Sequence, residues 1–68
     1  MTNKLKVARV GQQLTQEELA KRAGVSRQTI HAIEAGNYVP STLLALKLGQ
    51  LLGMTVEQIF QLEPQDMG

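Results

Sequence analysis

The sequence predicts an all-α fold: one compact domain of five short helices. Three observations carry this prediction. Apolar residues recur at helical spacing and nowhere alternate at the two-residue spacing of a strand. Capping residues and glycines punctuate the chain at short, regular intervals. A length of 68 residues, 43% hydrophobic with one Phe and one Tyr as the only aromatics, suits a single small aliphatic core.

The helices follow in order. Residues 3–13 make the first, with Leu5, Ala8 and Gln12 along one stripe. Thr15 opens the second. Its hydroxyl can accept from the Glu18 amide while the Glu18 carboxylate reaches back, a T-x-x-E capping box. Leu19, Ala20 and Ala23 form its apolar stripe, and Gly24 closes it where the C-terminal cap needs positive φ. One residue later Ser26 caps the third helix, which runs to Gly36. Two short helices joined this tightly have the outline of a helix-turn-helix, though plain helical bundles contain the same outline. Asn37 to Pro40 form a loop, and Ser41 caps a fourth helix that runs to Leu52 and stops at Gly53. Thr55 and Gln58 make a second capping box and open a fifth helix through Leu62. Residues 63–68 hold Pro64 and Gly68 and read as a flexible tail.

Composition narrows the function. Without cysteine and with one histidine, the chain offers no zinc site and no disulfide, and it fits a reducing compartment. The longest apolar run, Leu43 to Leu46, is far shorter than a membrane span, and no signal-peptide pattern opens the chain. A cytoplasmic location is expected. No nucleophile sits with a base, and no Gly-rich phosphate loop appears, so an enzyme is not expected and no cofactor is implied. Charge is distributed unevenly. The first 31 residues carry six Lys or Arg against two Glu, and the remainder carries one Lys against four acids. Such asymmetry points to a polyanionic partner on one face.

The third helix looks built for that partner. Its first turn is polar (Ser26, Arg27, Gln28, Thr29), while Ile30 and Ile33 fall on the opposite side. A helix in the major groove needs this division, because each base pair there displays its own pattern of donors and acceptors. Arg27 offers a planar fork for guanine O6 and N7 or for a phosphate. Gln28 can pair with adenine N6 and N7. Thr29 can meet a phosphate or a thymine methyl, and Ser26 at the cap lies beside amides that attract phosphate. His31 follows one turn after Arg27 as a phosphate or base contact, or as a solvated surface residue.

The stretch "LTQEELAKRAGVSRQTIHAIEAGNYVP", with the Pro-Ser before the fourth helix, resembles the DNA-binding domain of lambda-type phage repressors and XRE-like (Cro/C1-type) regulators. The resemblance covers about residues 3–62, with the helix-turn-helix at about 15–35 and the recognition helix at about 27–35. It implies a lambda-repressor-like five-helix fold and sequence-specific binding of double-stranded DNA by a transcriptional regulator, expected as a repressor. It also marks Gln28 as a base reader and Gln16 as a phosphate or adjacent-base contact. Asn37 and Tyr38 fall where the family holds backbone phosphate; the alternative for Tyr38 is a ring packed on Pro40 or the fourth helix. Arg9 and Glu34 occupy the slots of a salt bridge between the first and third helices. At position 32 the chain departs from relatives, offering alanine where a base-contacting polar residue often stands. The loop also lacks the usual Lys or Arg, so modest affinity is expected.

One recognition helix reads too few base pairs to address a genome, so a homodimer on a palindromic site is expected. Leu43 and Leu46 exceed what a single buried stripe needs, and Met54, Phe60 and Leu62 are the expected dimer contacts, with closure of the core as the alternative for Phe60. Gly49, placed mid-helix at a cost of about 1 kcal/mol relative to Ala, implies a close approach there. Neither a membrane nor a small molecule is expected as a partner. The alternatives are a helical protein-interaction module of antitoxin or coactivator type, and the DNA-binding part of a longer ligand-responsive regulator.

Overall fold

Five helices carry the chain in the computed structural model, which describes all of residues 1–68. They are α1 (Leu5–Gly11), α2 (Gln16–Ala23), α3 (Arg27–Glu34), α4 (Thr42–Leu52) and α5 (Val56–Ile59). The mostly helical architecture of five short helices agrees with the sequence reading. The caps form as the residue types require. Thr15 Oγ1 accepts from the Glu18 amide at 3.0 Å, and Glu18 Oε1 accepts from the Thr15 amide at 2.9 Å. Thr55 and Gln58 repeat the box at 3.2 and 2.9 Å. Ser26 and Ser41 cap α3 and α4 through single bonds of 3.1 Å. Gly24, at φ 73°, turns the chain sharply from α2 toward α3.

The chain ends depart from the expected picture. The first helix starts at Leu5 instead of residue 3, because Thr2–Asn3 (β1) pairs antiparallel with Phe60–Gln61 (β2). Asn3 secures this closure: its Oδ1 accepts from the Leu5 amide at 3.2 Å, and its Nδ2 donates to the Ile33 carbonyl at 2.9 Å. The fifth helix is correspondingly a single turn that stops at Ile59, since Phe60 is extended at φ −115° and ψ 129°. Residues 64–67, expected in a flexible tail, form a 3-10 turn. The Met1 ammonium grips that turn, 2.8 Å from both Glu63 and Asp66.

The core lies between α2, α3 and α4 and is closed from the two ends by Leu5 and Ile59. Leu5, Leu19, Ile30, Ile33, Leu48 and Ile59 are wholly buried. Gln12 leaves the expected apolar stripe; its Nε2 donates to the Leu52 carbonyl at 2.7 Å. Gly49 does make a close approach, but to backbone after its own helix: a Cβ there would lie 2.7 Å from the Met54 carbonyl oxygen. The expected dimer contacts need correction. Phe60 is 8% exposed and belongs to the core, and Met54 is half-buried against it. The chain is extended at Phe60, and the ring joins the core. Leu62 remains exposed, as do Leu43 and Leu46 on α4.

Candidate nucleic-acid interface

The odd division of α3 is explained by what lies behind it. Ile30 and Ile33 are buried to within 1% of completeness on a helix that packs against α2 and α1. Its opposite face begins with Arg27 and Gln28, both exposed and engaged by no ion pair or side-chain hydrogen bond. Their donors and acceptors are therefore free for a ligand. Ser26 and Thr29 are less free. Their hydroxyls share a hydrogen bond of 2.9 Å, and Ser26 Oγ also accepts from the Thr29 amide. The pair fixes the first turn as much as it offers contacts.

The candidate residues separate into two groups. Ser26, Gln28, Thr29, Ala32, Asn37 and Tyr38 line one shallow concavity beside α3. Tyr38, about half exposed, also borders a cleft with Leu43, Leu44 and Lys47, so it stands between the recognition face and α4. Both readings of its ring have a neighbour there. Arg27 stands outside this concavity on the same first turn.

The second group is a hydrogen-bonded chain across three helices. Arg9 Nε donates to Glu34 Oε2 at 2.7 Å and Nη2 to Oε1 at 3.2 Å, a two-point pairing of α1 with the last residue of α3. Arg9 Nη1 donates to the Leu14 carbonyl at 2.8 Å, so the buried guanidinium also holds the turn before α2. The two side chains are only 11% and 5% exposed. Glu34 Oε1 takes a further bond from Gln16 Nε2 at 3.1 Å, and that same nitrogen lies 3.4 Å from His31 Nδ1. Sequence reasoning missed the Gln16–Glu34 bond. No spacing rule links residues 18 apart on different helices; only a search for the donor that completes Glu34 would have found it. No cluster of three His, Cys, Asp or Glu assembles anywhere in the chain.

Comparison with known proteins fits this geometry. The helix-turn-helix family model matches residues 5–62. The chain is 53% identical over 66 residues to an uncharacterised HTH-type transcriptional regulator of Methanocaldococcus jannaschii, covering 97% of this chain and all of the relative. It is 47% identical, over the same shares, to the HTH-type transcriptional regulator YgzD of Bacillus subtilis. Among solved structures it is similar to the clp gene regulator ClgR of Corynebacterium glutamicum, with a TM-score of 0.72 and 29% identity. That match covers 76% of this chain and 55% of ClgR, so the chain spans about half of that regulator. The SinR protein, solved with the SinI protein, shares the fold with a TM-score of 0.77 at 23% identity, covering 93% of this chain and 67% of that one. A match over most of the chain, with close relatives of the same extent, makes it a member of the XRE-type helix-turn-helix family of DNA-binding transcriptional regulators.

Proposed function

We propose that the chain represses transcription as a homodimer that lays α3 of each copy in the major groove of a palindromic site. The observation that carries this reading is the pair Arg27 and Gln28, exposed and unpartnered at the start of a helix whose other face is locked in the core. Free long polar side chains on a rigid support are what base readout requires. Ser26, Thr29, Asn37 and Tyr38 flank them as contacts to the phosphate backbone. His31 lies on the Gln16 side of the helix and provides a further contact.

Dimerisation follows from information content, since two half-sites about 34 Å apart double what one helix reads. Exposed Leu43 and Leu46 on α4, 66% and 55% accessible, supply the apolar contact that Phe60 does not. A bound dimer excludes polymerase from the duplex it covers, which makes repression the assigned action, and a DNA partner places the protein in the cytoplasm. The same leucines favour a second reading, a module whose main partner is another protein. Selection on random duplexes tests the first reading. It should return an inverted repeat, and sedimentation should find two chains per duplex. Recovery of no preferred sequence, or one chain on an asymmetric site, would overturn it.

A further inference from the structure

Glu34 decides which atom of Gln16 can meet a ligand. An ionised carboxylate only accepts hydrogen bonds, so the Gln16 amide must turn its nitrogen toward Glu34 Oε1, 3.1 Å away. The same nitrogen lies 3.4 Å from His31 Nδ1. The amide nitrogen is thereby turned toward the Glu34 carboxylate. The amide's carbonyl oxygen accepts from no protein group. Because no buried side-chain polar atom in the molecule lacks a partner, this unpartnered oxygen lies at the surface. Gln16 is the first residue of α2, beside the exposed face of α3.

A phosphate oxygen is itself an acceptor and gains nothing from a carbonyl. In the major groove the donors are the exocyclic amino groups, adenine N6 and cytosine N4. We propose that Gln16 reads such an amino group through its carbonyl oxygen, and that Glu34 is the positioning residue that turns the amide this way. The proposal rests on α3 lying in the major groove. Arg9 extends the arrangement, since its two bonds hold the Glu34 carboxylate in place.

The test uses the full chain and the duplex that selection returns, with each adenine in turn replaced by purine and each cytosine by 2-pyrimidinone, which removes the amino group. Gln16→Ala should lower affinity roughly tenfold at one base-pair position per half-site, and this loss should vanish on the duplex lacking that amino group. Glu34→Gln should erase the preference at the same position and leave the position read by Gln28 intact. Adding Gln16→Ala to Glu34→Gln should then change nothing further. A purely structural Glu34 would instead lower affinity at all positions together. If Glu34→Gln does not fold, Gln16→Ala on the altered duplexes decides alone. Equal weakening of selected and random DNA by Gln16→Ala would mark a backbone contact and overturn the proposal while leaving the α3 reading intact. If Gln28→Ala also left the selected sequence unchanged, the α3 reading would fall with it.

Discussion

Arg27 and Gln28 stand free on α3, while Gln16 and His31, across the helix pair, are held by protein hydrogen bonds before any ligand arrives. The two arrangements serve recognition differently. A free side chain can adapt to several base edges but loses rotamer freedom of about 0.5–1.5 kcal/mol when it binds. A tethered amide has already lost that freedom, and its orientation is set by folding. The proposed interface would thus join an adaptable reader to a preorganised one, with the Arg9–Glu34 pair as the support of the second.

The largest effect should come from removing that support. Glu34→Ala strands the buried guanidinium of Arg9, and leaving a buried charge unpaired costs about 3–5 kcal/mol. Urea unfolding should show a loss of that size, and Arg9→Met should lose a similar amount through the abandoned carboxylate. An unchanged unfolding midpoint for either variant would mean the pair contributes no rigidity to the tethered side. The free side should behave in the opposite way. Gln28→Ala should leave unfolding unchanged, yet cost about 1–3 kcal/mol of binding at the selected site and relax one base pair. Parallel binding and unfolding measurements on the two variants would separate reader from support; a stability loss in Gln28→Ala would break the distinction.

How much of this was legible in the sequence depended on the reach of each interaction. The caps at Thr15, Ser26, Ser41 and Thr55 join residues three apart, so residue types at that spacing suffice to predict them. The division of α3 was equally plain, because its polar turn and its isoleucines lie within eight residues. Contacts between distant segments left no such trace. The Asn3–Phe60 pairing is too short to produce an alternating pattern, and missing it left Phe60 undecided between surface and core and extended the fifth helix by three residues. The Arg9–Glu34 pair was reached only through family resemblance, and the Gln16 bond to the same carboxylate through neither route. The ammonium of Met1 was overlooked because a terminus carries no side-chain signal, although two acids converge on it.

The tethered side also depends on the cap beneath it, since Thr15 fixes the start of the helix that carries Gln16. Thr15→Ala should cost about 1 kcal/mol of stability, the usual worth of an N-cap, measurable by urea unfolding and well below the loss at Glu34. The matching cap of α3 has no carboxylate: Ser26 bonds Thr29, and neither titrates.

That contrast gives the smallest effect and a pH dependence of known sign. The Glu18 carboxylate accepts from the Thr15 amide, and this bond, ahead of the Thr15 side chain, holds its pKa below the ordinary 4.5. A carboxyl group with a depressed folded-state pKa stabilises the fold above its unfolded value and loses that contribution as pH falls through the folded value. The contribution of Glu18 should therefore be complete near neutrality and fade below about pH 4.5. Glu63 and Asp66, also lowered by the Met1 ammonium, fade over the same acid range, so the parent chain alone is ambiguous. Comparing it with Glu18→Gln cancels them, because both chains keep that cluster. The glutamine variant should be less stable at pH 7, and the gap should narrow steadily as the pH is lowered. A gap that stayed constant down to pH 3 would show that Glu18 acts on α2 without its charge, and would leave the two caps alike in their response to acid.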